Sequence, residues 1–118
     1  MSKGYLTTHV LDTFNGSPGS GINGCLYKLE DQNKTKILDF ELNTEGRTDK
    51  PILANENFII GKYELVFYCG DYFKNFTDLY KPYFLDDVVI RFGINDRSQH
   101  YHVPLLISPW SYTTYRGS

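Results

Sequence analysis

The sequence is poor in cysteine, has no long apolar run and carries no excess of positive charge. Cys25 and Cys69 are its two cysteines. They stand at no metal-ligand or redox-motif spacing, so neither a zinc knuckle nor a disulfide scaffold is indicated, and two reduced thiols in a cytoplasmic protein are expected. No stretch approaches the ~20 apolar residues that cross a bilayer as a helix. Lys and Arg number 12 against 14 Asp and Glu, for a net charge of −2. With no basic stripe, nucleic acid is excluded as the main partner. The opening residues, MSKGYLTTHVLD, hold no apolar stretch of signal-peptide type, and the expected location is the cytoplasm. Internal repeats, linkers and low-complexity segments are also absent. The 118 residues are expected to form one domain, residues 1–118, long enough to bury its own core.

Aromatic residues, in contrast, are plentiful: ten Tyr, eight Phe and one Trp. That composition favours β-structure. Tyr5 to Asp12 alternates, with Leu6, Thr8 and Val10 on one face and Thr7, His9 and Leu11 on the other, the pattern of a half-buried strand. NGSPGSG (Asn15 to Gly21) is a loop. Gly24 to Glu30 follows as a strand with Cys25, Tyr27 and Leu29 inward. Lys36 to Leu42 is a strand with Leu38, Phe40 and Leu42 inward. Asn43 to Asp49 turns at Gly46 and presents Arg47. Pro51 to Ala54 fits a short edge strand. Gly61 to Tyr68 alternates again, with Tyr63, Leu65 and Phe67 on one face. The period then changes: Asp71 is a fitting N-cap, and Phe73, Phe76, Leu79 and Tyr80 predict one short amphipathic helix ended by Pro82. Val88, Ile90, Phe92 and Ile94 form the core face of the next strand. About eight short strands and one helix, with turns at such intervals, predict an all-β, Ig-like sandwich.

The last nineteen residues, HYHVPLLISPWSYTTYRGS, are unusually rich in apolar and aromatic side chains for a C-terminus. A strand over this stretch places His100, His102, Pro104 and Leu106 on one face, and Tyr101, Val103, Leu105 and Ile107 on the other. Ser108-Pro109 breaks it, and a return strand from Ser111 to about Arg116 closes a hairpin. Tyr115 shares a polar face with Ser111 and Thr113. Arg116 points the other way and is expected to anchor structure. Each candidate also has an ordinary explanation: a hydrogen-bonded histidine for His9, a solvated charge for Arg47, a surface aromatic for Tyr115. Two titratable rings on one strand face, His100 and His102, are harder to explain that way.

The segments LTTHVLD (Leu6 to Asp12), GRTD (Gly46 to Asp49) and HYHVPLLISPWSYTTYRGS resemble the 5-hydroxyisourate hydrolases, or transthyretin-like proteins. The closing Tyr115-Arg116-Gly117-Ser118 is the family's most distinctive mark, and the resemblance covers nearly the whole chain. Trp110 and Ser111 stand where the family often has another aromatic and a glycine. The resemblance implies a transthyretin sandwich of two four-stranded sheets with one short helix. It implies a homotetramer, a dimer of dimers, with sites in the channel between dimers lined by the first, seventh and eighth strands. It further implies hydrolysis of 5-hydroxyisourate, the product of urate oxidation, to 2-oxo-4-hydroxy-4-carboxy-5-ureidoimidazoline, with no cofactor and no metal. The family's functional residues fall on His9, Arg47, His102, Tyr115 and Ser118, with His100 a weaker match.

Those side chains suit the reaction. Opening a ring amide needs an activated water, stabilisation of the carbonyl oxygen and a proton for the leaving nitrogen. A neutral histidine is a natural base near pH 7, and His9 and His102 are both candidates for it. Arg47 is suited to ring oxygens and a developing oxyanion, and Tyr115 to the ring edge. Ser118, through hydroxyl or terminal carboxylate, is placed to fix a histidine tautomer. Beside a plain structural sandwich domain, which leaves the C-terminal cluster without an explanation, two other readings compete. His9, His100 and His102 could form a three-histidine zinc site with an open water position. A transthyretin-type carrier of an apolar ligand is the other, but three polar or charged residues facing the channel suit such a ligand poorly.

Overall fold

The computed structural model describes residues 3–117. In chain order its elements are β1 (Tyr5–Asp12), β2 (Ser17–Pro18), β3 (Asn23–Glu30), β4 (Asn33–Glu41), β5 (Leu53–Ala54), β6 (Gly61–Tyr68), α1 (Cys69–Phe73), β7 (Asp87–Ile94), β8 (His100–Ile107) and β9 (Tyr112–Thr114). They form the expected sandwich. One sheet runs β2-β1-β8-β9, with β5 also paired to β1; the other runs β4-β3-β6-β7. The first sheet therefore has five strands where four were expected. The surplus strand is β2, which like β5 is two residues long; the two pair with opposite ends of β1. Counting β2 also moves the expected seventh and eighth strands to β8 and β9.

Period-two alternation builds the core. Leu6 and Val10 of β1 and Tyr101, Leu105 and Ile107 of β8 face Leu26, Tyr63, Leu65, Phe67 and Ile94 of the second sheet. Thr8 is the polar member of the β1 stripe, and it donates its hydroxyl to the Val103 carbonyl at 2.7 Å, so its burial leaves no unmet hydrogen bond. β1 and β8 pair in parallel along their whole length, from Tyr5 opposite His100 to Asp12 opposite Ile107.

Two expectations are corrected. In β3 the inward residue is Leu26, opposite Leu65, whereas Cys25, Tyr27 and Leu29 lie opposite Val66, Glu64 and Lys62 on the outer face. The inward phase of β3 is Gly24, Leu26 and Lys28, which is a poor apolar stripe. Gly24 is needed there because a Cβ would strike the Phe40 ring. The outer face tolerates apolar residues because long cations cover it. Lys34 lies 4.4 Å from the centre of the Tyr27 ring, and it pairs, with Arg91, to Glu64, which is 2% exposed. The helix is also shorter and earlier than expected. α1 starts at Cys69 after Tyr68, without a side-chain cap, and ends at Phe73. Tight turns follow, with the Phe76 N–H on the Phe73 carbonyl at 2.9 Å, and Tyr80 is 99% exposed. The spacing of Phe73 and Phe76 thus reflects a turn, not a continuing helix.

The turn that presents Arg47 is built by Asn43. Its Oδ1 accepts from the Glu45 N–H at 2.9 Å and the Arg47 N–H at 3.2 Å. Gly46 has φ +76°, a conformation costly for other residues. Its carbonyl accepts the Val10 N–H at 2.9 Å, docking the turn on β1, and a Cβ at this position would collide with the Val10 carbonyl oxygen. Replacing Gly46 by Ala should therefore cost on the order of 2 kcal/mol or more. Urea unfolding should show a lowered midpoint at an unchanged slope.

Candidate active site

The outer face of the first sheet gathers the histidines. Alternation places Tyr5, Thr7 and His9 of β1 on it, and the parallel register sets Tyr5 beside His100, Thr7 beside His102 and His9 beside Pro104. The Thr7 hydroxyl lies 2.6 Å from His100 Nε2 and 2.7 Å from His102 Nδ1. The His100 ring stacks on Tyr5, with centroids 4.1 Å apart and planes 15° from parallel.

Arg47 reaches this face from the docked turn. Together with Thr7, Thr8, Thr48, Asp49, Lys50 and Pro51 it lines a cleft. Its charge is felt at two histidines. Burial, then Arg47, holds His9 below the usual 6.5, with the Glu45 carbonyl and carboxylate pulling the other way. Burial also holds His102 below 6.5, followed by His100, Arg47 and His9. His100 is lowered by burial. All three rings are therefore neutral near pH 7, and His9, Arg47 and His102 lie within each other's fields.

The tail is pinned against the same strand. The Gly117 N–H donates to the His102 carbonyl at 2.8 Å. Arg116 lies 4.1 Å from the centre of the Tyr101 ring and donates to Gln99 Oε1 at 2.7 Å. Tyr115 is 59% exposed. With His102, Ile90, Tyr101 and Thr114 it lines a separate cavity of about 350 Å³. His102 shares that cavity with Tyr115 and Arg116, whereas Arg47 lines the other cleft. Ser118 lies outside the described residues.

Two residues of this arrangement were not singled out from the sequence. Thr7 looked like an ordinary strand residue, although its place two residues before His9 put it on the histidine face. Gly117 stood inside the YRGS motif without a role of its own. A Cβ there would sit 2.7 Å from His102 Cδ2, so only glycine lets the tail lie flat on that ring. The three-histidine metal arrangement does not form: among the described residues no three His, Cys, Asp or Glu side chains are grouped to hold an ion. His100 Nε2 and His102 Nδ1 are aimed instead at the Thr7 hydroxyl.

Gly117→Ala should push the His102 ring off that hydroxyl. The check is the imidazole ¹⁵N spectrum, in which His102 Nδ1 should lose its hydrogen-bonded shift while the fold is retained.

Comparison with known proteins agrees with this geometry. Residues 6–117 match the model of the HIUase/Transthyretin family. A 5-hydroxyisourate hydrolase of Pseudomonas aeruginosa is 53% identical, over 98% of this chain and 92% of that protein. 5-Hydroxyisourate hydrolase 2 of Rhizobium meliloti is 51% identical over the full length of both chains. Among solved structures, the 5-hydroxyisourate hydrolase of Klebsiella pneumoniae superposes with a TM-score of 0.79 at 28% identity, covering both chains completely. On fold, motif order and sequence identity, the chain belongs to the HIUase/Transthyretin family.

Proposed function

We propose that the protein hydrolyses 5-hydroxyisourate, adding water across a ring amide to give 2-oxo-4-hydroxy-4-carboxy-5-ureidoimidazoline, by acid–base chemistry of its own side chains. The observation that carries this reading is the convergence of neutral His9 and His102 with the Arg47 cation on one sheet face. Relatives at 53% and 51% identity that bear the hydrolase name support it.

One of the two histidines takes a proton from the attacking water, and the other orients the water or later returns the proton to the leaving nitrogen. Arg47 holds the ring oxygens and stabilises the oxyanion with paired N–H groups. Tyr115 positions the ring edge. Ser118, by its hydroxyl or terminal carboxylate, fixes one histidine tautomer.

The working form is a homotetramer, a dimer of dimers with the histidine face lining the channel between dimers. Exposure supports it: Tyr5 and Leu11, on the same β1 face as Thr7 and His9, stand 36% and 39% exposed, apolar surface suited to a partner. Buried, unpaired Cys25 and Cys69 suit a reducing compartment, the cytoplasm. Among the described residues no helix is long and apolar enough to cross a membrane.

Freshly generated 5-hydroxyisourate, followed by its ultraviolet decay, tests the assignment. His9→Asn and His102→Asn should each slow turnover roughly 10²–10⁴-fold. Near-wild-type rates in both variants would overturn the residue assignment. The pH dependence follows from the lowered histidines. A depressed value keeps the ring neutral as pH falls through 6.5, so activity should be flat above that pH and fall only on a more acid limb. Arg47→Gln removes a cation that disfavours protonation, so its acid limb should move to higher pH.

A further inference from the structure

We propose that Thr7 is a positioning residue of this site: its hydroxyl is a one-proton bridge that fixes matching tautomers on His100 and His102 and relays a proton between them. The proposal deepens the hydrolase reading and rests on it for its catalytic part.

A threonine hydroxyl has one proton to give and two lone pairs. Here it meets two ring nitrogens, His100 Nε2 at 2.6 Å and His102 Nδ1 at 2.7 Å, both within hydrogen-bond range. If it donates to one ring, it must accept from the other. The rings therefore cannot choose tautomers independently. In one polarity Thr7 donates to His102 Nδ1, and His102 carries its proton on Nε2, where it is useless as a base. In the other, His102 Nδ1–H donates to Thr7 and Thr7 donates to His100 Nε2. His102 Nε2 is then bare. Hydrolysis requires this second polarity at the start of the cycle.

The same bridge moves charge. When His102 Nε2 takes a proton from water, the water O–H bond breaks and hydroxide adds to the ring carbonyl. The Nδ1 proton of His102 then passes to Thr7 Oγ1 while the Thr7 proton passes to His100 Nε2. His102 returns to neutrality and His100 becomes imidazolium. The reverse transfer delivers the proton to the leaving ring nitrogen. The two ends of the bridge differ in the direction this requires. Burial and His100, then the Arg47 cation and His9, disfavour a positive charge on His102, whereas burial alone acts on His100. His100 lies flat on the Tyr5 ring, a surface that accepts a cation. Tyr5, Thr7, His100 and His102 are thus one unit across two strands.

Thr7→Val keeps shape and β-branching but removes the hydroxyl; Thr7→Ser keeps the hydroxyl. The Val variant should lose about 10²-fold in kcat with little change in KM, and the Ser variant should recover most of it. In the ¹⁵N spectrum of the wild-type protein, His102 should be protonated at Nδ1 and His100 at its own Nδ1, and Thr7→Val should release both to mixed tautomers. Near-wild-type kcat in Thr7→Val, or His102 protonated at Nε2 in the wild type, would overturn the proposal. If the wild type leaves 5-hydroxyisourate untouched, the hydrolase reading fails, and the tautomers alone decide whether the bridge exists.

Discussion

The parallel pairing of β1 with β8 joins residues about as far apart as the chain allows, and the histidine face exists only because of it. Thr7 and His102 are 95 positions apart in sequence, yet the register sets them side by side. Parallel strands need a crossover, and here the crossover is nearly the entire second sheet. Long-range pairing of this kind carries a large loop-closure entropy and forms slowly. What holds it is the buried side of the same strands: Leu6, Val10, Tyr101 and Leu105 are under 5% exposed. Asp12 fixes the far end of β1. It is buried, and its carboxylate accepts the Phe14 and Asn15 N–H groups, the Asn15 amide and the Tyr72 hydroxyl. That set of donors answers the cost of burying a carboxylate.

The Arg47 cation acts on the charge state of two of the site's histidines. Three imidazoles stand close together in a half-buried patch, and with Arg47 beside two of them a second positive charge is disfavoured. Burial acts in the same direction on all three rings. The result is a set of neutral nitrogens able to accept protons, next to a guanidinium able to bind oxygen anions. A zinc ion would need lone pairs on those rings, and one nitrogen of His100 and one of His102 are already bonded to the Thr7 hydroxyl. An apolar carrier ligand would have to desolvate the guanidinium without giving it a partner, which is costly.

How much of this was legible in the sequence depended on contrast between faces. β1, β6, β7 and β8 alternate strongly, so their inward stripes were visible at once. β3 was not, because its inward phase holds a glycine and a lysine while its outward phase holds Tyr27 and Leu29. The helix was misplaced because Phe73 and Phe76 keep helical spacing across a turn. His9 and His102 stood out as titratable groups, but nothing in their spacing brings them together; the motif resemblance did. Thr7 stayed hidden for a physical reason: threonine is common in strands for its branched Cβ, and a hydroxyl acquires meaning only from what it touches. Gly117 was equally silent, since its role is the absence of an atom beside the His102 ring.

The interleaving of core and site along β1 has one further result. Val10 is the immediate neighbour of His9, and Thr7 of Leu6, so a slip of a single residue against β8 would turn the imidazole into the sandwich and the valine out to water. Mispairing would then destroy stability and chemistry in the same event. A chain that folds into a well-packed sandwich has, by that fact, already assembled its histidine face, and slipped forms have no stable core in which to persist.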